Sequence, residues 1–170
     1  MMNTRHLLAL VAISATAACK QDQPAADYQT PGAPAAPMPV KFSLADFQHL
    51  RYLEGTWRGT MPDGKPFYES YRFVNDSTIL QGGHPDSTFA TKTDSSRFEF
   101  RGGEVIHGSG TTYHAAELDS TTVDFRADVD PKTHFVWTRE GADAWTARLF
   151  RAGPDGAEQV TVYPMQRIRR

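Results

Sequence analysis

LEGTWRGTMPDGKPFYESYRF, residues 53–73, is the stretch that decides the fold. Just before it, SLADFQHLRYL (43–53) has a helical pattern: Ser43 stands where a cap belongs, Asp46 where a capping-box acid helps, and Leu44, Phe47, Leu50 and Leu53 recur at helical spacing. Gly55 ends that pattern. From Trp57 onward the period changes to two, which is the spacing of a strand with one wet face.

The new period persists to the carboxyl end. Phe98 and Phe100 alternate with Arg97, Glu99 and Arg101; Val123 and Phe125 alternate with Asp124 and Arg126; Trp145, Ala147 and Leu149 alternate with Thr146 and Arg148. Turn residues interrupt the run at Pro62-Asp63-Gly64, Asn75-Asp76, Gly102-Gly103, Gly108-Ser109-Gly110, Asp119-Ser120, Gly141-Ala142-Asp143 and Gly153-Pro154-Asp155-Gly156. The pattern predicts about nine antiparallel strands in an up-and-down meander, with no second helix to cover a sheet face. Such an all-β sheet buries its apolar faces by closing into a barrel or folding into a sandwich.

A short helix followed by Gly55-Thr56-Trp57 on the first strand of a meander resembles the start of lipocalin-like, calycin-type proteins. The resemblance implies a barrel with the helix plugging one end, Trp57 packed across that end, and an arginine of the last strand lying over its ring. Arg167 and Arg169, in VTVYPMQRIRR, are the arginines available, with Arg167 preferred. A large flat ring excludes water there, while a guanidinium stacks on it and still satisfies its donors at the rim. LEGTWRG is also similar to the opening of nitrobindin, a related barrel that holds haem through a histidine near its carboxyl end. Here the last strand has no histidine, His134 being the nearest, so no haem or other cofactor is expected.

The ends set the cellular context. MMNTRHLLALVAISATAAC has a polar start with Arg5, an apolar core over 7–12 and small residues over 14–18, the three parts of an export leader. Its apolar run falls short of the roughly 20 residues a membrane span needs. The only cysteine of the chain, Cys19, follows directly as Thr16-Ala17-Ala18-Cys19, which resembles a bacterial lipobox with threonine where leucine is usual. The resemblance implies cleavage before Cys19 and acylation of it, so that the lipid bilayer is a partner. Lys20 stands where the enterobacterial inner-membrane retention signal has aspartate, which implies the periplasmic face of the outer membrane. The division expected is a signal peptide at 1–18, a lipidated linker rich in Pro and Ala at 19–41, and the barrel at 42–170.

Without a second cysteine there is no disulfide framework. The net charge of -2, or -3 once Arg5 leaves with the leader, gives no basic excess, so nucleic acid is not an expected partner.

Inside the barrel domain the acid that stands out is Glu69, because in PFYESYRFV it shares a face with Phe67, Tyr71 and Phe73. A carboxylate on an apolar face needs a partner, or else the opposite face, with Tyr68, Ser70, Arg72 and Val74, is the buried one. Glu69, Tyr71, His114 and Trp137 are the candidate ligand-binding residues, His114 because it is in line with Ala116 and Leu118. His107 and His114 flank a glycine turn and share a face only if the loop has an even number of residues. No zinc-type ligand spacing, serine elbow, phosphate-binding loop or His-Glu-x-x-His pair is present, so no metal or catalytic residue is expected. The function expected is that of a non-enzymatic binding module holding a small apolar or amphipathic molecule. The alternatives are an envelope lipoprotein with a filled barrel and, less favoured, a lumen enzyme using Glu69 and a histidine.

Overall fold

The computed structural model describes residues 41–108 and 110–169. The leader, Cys19 and the linker up to residue 40 lie outside the described residues. Helix α1, Leu44–Gln48, runs into a 3-10 turn, His49–Leu53, and ten strands follow. They are β1 Gly55–Thr60, β2 Pro66–Asn75, β3 Thr78–His84, β4 Asp94–Arg101, β5 Glu104–Gly108, β6 Thr112–Leu118, β7 Thr122–Ala127, β8 His134–Arg139, β9 Ala144–Ala152 and β10 Glu158–Arg167. Each pairs antiparallel with the next, and β10 returns to β1, so the sheet closes on itself and leaves no edge. The ladder has ten rungs rather than the expected nine. Its shortest strand, β5, is five residues between two glycine-bearing turns, too brief for alternation to mark strongly.

An up-and-down barrel sends alternate turns to opposite ends, and the sequence distributes them unequally. At one end α1 and the 3-10 turn lie across the opening. The capping box forms as the sequence predicts, Asp46 N–H donating to Ser43 Oγ at 3.1 Å and Ser43 N–H to the Asp46 carboxylate at 2.7 Å. A segment this short does not hold a helix alone, since about 12–15 residues are needed in water. Phe47, Leu50 and Leu53 are fully buried and contribute about 1.5–3 kcal/mol each. Burial therefore holds the segment in place, and polar contacts fix its position: Phe42 N–H reaches Gly103 O, and Arg51 and Gln48 both reach Asp76, each in a turn at that end.

At the other end the turns after β1, β3, β7 and β9 each carry an aspartate, Asp63, Asp86, Asp130 and Asp155, that accepts from the backbone N–H two residues on. Among the described residues no helix covers this end. The core is one aromatic-rich cluster running up the lumen from the helix, through Trp57, Trp145, Tyr71, Trp137, Phe98 and Phe125.

Candidate functional site

The closed end is built around Trp57, which is fully buried and donates its indole N–H to Leu53 O at 2.6 Å. Its ring meets Trp145 edge to face, with centroids 5.9 Å apart. In the β1–β10 register Trp57 lies opposite Arg167, whose guanidinium carbon stands 4.3 Å from the centre of the indole. The same guanidinium donates to Glu54 O at 2.6 Å, Tyr52 O at 2.7 Å and Ala142 O at 3.2 Å, and lies 3.4 Å from Asp143. It thus ties the helix exit, β10 and the β8–β9 turn to one ring. Arg169 pairs with Asp143 and does not touch the ring. Gly55 is needed for this arrangement: its φ is +125°, and a Cβ there would lie 2.6 Å from the Arg167 nitrogen.

Toward the open end the lumen is not filled. A cavity of about 360 Å³ runs from Trp145 and Tyr71 up to a mouth bordered by Met61, Thr133 and Arg151. Tyr71 and Trp137, both expected in a ligand site, line it and touch edge to face at 5.9 Å. Glu69 lines it as well, so Phe67, Glu69, Tyr71 and Phe73 form the inward face of β2 and the opposite face is outside.

The Glu69 carboxylate is satisfied from two sides, by the Tyr71 hydroxyl at 2.6 Å and by Gln81 Nε2 at 3.0 Å. Burial raises its pKa; these two bonds pull the other way and the Asp94 charge adds to the rise. Beyond it the chain continues. Ser96 Oγ–H donates to Gln81 Oε1, and His107 Nε2 lies 3.0 Å from Ser96 Oγ. His107 stacks on Phe98 with ring centres 4.2 Å apart, and burial depresses its pKa to about 4, so the ring is neutral at pH 7. Its Nδ1 is buried without a partner.

His114, expected among the ligand-binding residues, stands on the outer face, 3.2 Å from Asp128 and 4.0 Å from Glu104. The difference has a physical cause. A bulge between Ala115 and Glu117 shifts the register of β6, so Leu118 faces the core in company with Ala115, and parity with Leu118 no longer places His114 inside. The pairing His107 with Tyr113 puts the two histidines on opposite faces. Among the described residues no three His, Cys, Asp or Glu side chains converge as metal ligands.

Sequence reasoning overlooked Gln81, Ser96 and His107 as one relay. The signal for Gln81 was the same as for Glu69, a polar residue in phase with Ile79 in TILQGGH. It also overlooked the mouth, where His134 Nδ1 bonds Asp124 at 2.8 Å and the ring stacks on Phe150 at 4.2 Å. His134 stands out of phase with Phe135 and Trp137 on β8, so it reaches the cavity only at the rim.

No family model matches the chain, and no curated protein matches it. Among solved structures it is similar to a redesigned beta barrel, at 14% identity and a TM-score of 0.35, over 72% of this chain and 96% of that one. What the geometry of the described residues defines is a closed antiparallel barrel with one end plugged by the helix and the other left open by them.

Proposed function

We propose that this is a membrane-tethered, lipocalin-like lipoprotein whose barrel binds a small apolar or amphipathic molecule in its lumen. The observation that carries the binding reading is the cavity of about 360 Å³, which falls within the range of small-molecule sites, roughly 300–1,000 Å³. Its walls are mostly aromatic and aliphatic together, with a minority of polar groups, the composition such sites share. A barrel packed solid, the rival reading, has no need of a carboxylate, an amide and a hydroxyl relayed along one wall. A lumen enzyme is the less favoured reading, since Glu69 and His107 are linked by hydrogen bonds through Gln81 and Ser96 rather than to each other.

The test uses the neutral dye N-phenyl-1-naphthylamine, whose emission rises in apolar surroundings. Wild type is expected to bind it one to one, and Ala147→Phe, which enlarges the smallest side chain on the cavity wall, to lose that signal while keeping its melting temperature within a few degrees. A wild type that takes up no dye favours the filled barrel.

The tether rests on Cys19 and its lipobox-like context. Several acyl chains, at about 0.8 kcal/mol per buried methylene, hold a protein to a bilayer far longer than one chain does. Cys19→Ala is expected to move the protein from the membrane fraction to the soluble one; sedimentation with membranes despite the substitution refutes the tether.

A further inference from the structure

The hydrogen-bond relay on the lumen wall has a direction. Gln81 uses its amide N–H on Glu69, so its oxygen is left to accept, and the Ser96 hydroxyl spends its one proton there. Ser96 Oγ then accepts from His107, which fixes the proton of the neutral ring on Nε2 and leaves Nδ1 bare. Tyr71 spends its hydroxyl proton on Glu69 as well. Each of these bonds donates toward the carboxylate. Among the described residues Glu69 is the sole acid on the cavity wall, beside the second amide N–H of Gln81 and the unpartnered indole N–H of Trp145.

A ligand group that meets the Glu69 carboxylate must therefore donate. The surroundings narrow it further. Tyr71, Trp137 and Trp145 pack against one another with centroids 5.0 to 6.1 Å apart and all face the cavity, and aromatic faces attract cations, most strongly where water is excluded. A carboxylate walled by aromatic rings repels an anion, gives a neutral apolar group nothing, and gains a counter-charge from a cation. Arg151 at the mouth disfavours a second positive group at the outer end.

Building on the lumen-binding reading, we propose that the ligand is an organic cation, a protonated amine seated against Glu69 with an apolar or aromatic body lying against Trp137, Tyr71 and Trp145. Burial raises the Glu69 pKa in the empty cavity, and an ammonium partner pulls it back down, so ligand and carboxylate stabilise each other.

Three probes of one shape separate the possibilities by isothermal titration calorimetry on the detergent-solubilised full chain at pH 7: tryptamine, the neutral 3-propylindole and the anionic indole-3-propionate. Wild type is expected to bind tryptamine about tenfold or more tighter than 3-propylindole, with indole-3-propionate weakest. In Glu69→Gln, which keeps the shape and removes the charge, the preference for tryptamine is expected to vanish while 3-propylindole still binds, which also reports an intact lumen. Equal affinity for tryptamine and 3-propylindole, or preference for the acid, overturns the cation inference and leaves lumen binding standing. Uptake of none of the three, in a wild type that binds no dye either, overturns both.

Discussion

Trp57→Ala is expected to destabilise the barrel by about 3–5 kcal/mol, the cost of truncating a fully buried aromatic to a methyl. The loss combines three effects. The lumen gains a void beside Trp145, Leu53 O loses its indole donor, and Arg167 loses the ring over which its guanidinium lies. Since a domain of this kind is stable by only about 5–15 kcal/mol, the substitution removes a large share of the total. The measurement is the urea midpoint, which should fall with the slope unchanged. Trp57→Phe keeps a ring for Arg167 but not the N–H, and is expected to cost distinctly less, about 1–3 kcal/mol. If Trp57→Ala unfolds at the wild-type midpoint, the plugged end does not hold the barrel closed.

The second large effect is in acid. His107 is neutral in the fold with its pKa depressed by burial to about 4, against an ordinary 6.5 when the chain is unfolded. Between those values the unfolded chain binds the proton and the fold does not, so stability falls as pH drops from about 6.5 toward 4. The contribution lost by pH 4 is about 3 kcal/mol, from a difference near 2.5 pH units at 1.36 kcal/mol each. Glu69 acts in the opposite sense. Its folded pKa is raised above 4.5, so what it contributes is present at low pH and is lost as pH rises through the folded value. Comparing wild type with His107→Gln, which still offers an N–H to Ser96, isolates the histidine: the two stability curves should approach each other as pH falls from 7 to 4. Parallel curves contradict a buried neutral His107.

The architecture was legible because its signals were local. Ser43 and Asp46 announced the cap, Gly55 and Trp57 the change of period, and paired turn residues the hairpins, each through chemistry acting within a few residues. Glu69 was legible for the same reason, as a carboxylate in phase with aromatic residues. His114 was not, because a one-residue bulge in β6 reverses facing from that point on, and nothing in TYHAAEL marks the bulge. The relay from Glu69 to His107 spans β2, β3, β4 and β5, so it depends on the register of three strand pairings that no local pattern encodes.

The four aspartate-pinned turns at the mouth have a practical consequence. Each has an aspartate that accepts from the backbone two residues on, and residues 41 and 169, the two ends of the described chain, both leave the barrel at the plugged end. An attachment made at residue 41 or 169 accordingly lies at the end opposite the entrance. The entrance turns can also be exchanged one at a time, since lengthening a loop twofold costs only about 0.6 kcal/mol in closure entropy. That makes the rim a place to graft recognition while the ring of ten strands stays unaltered.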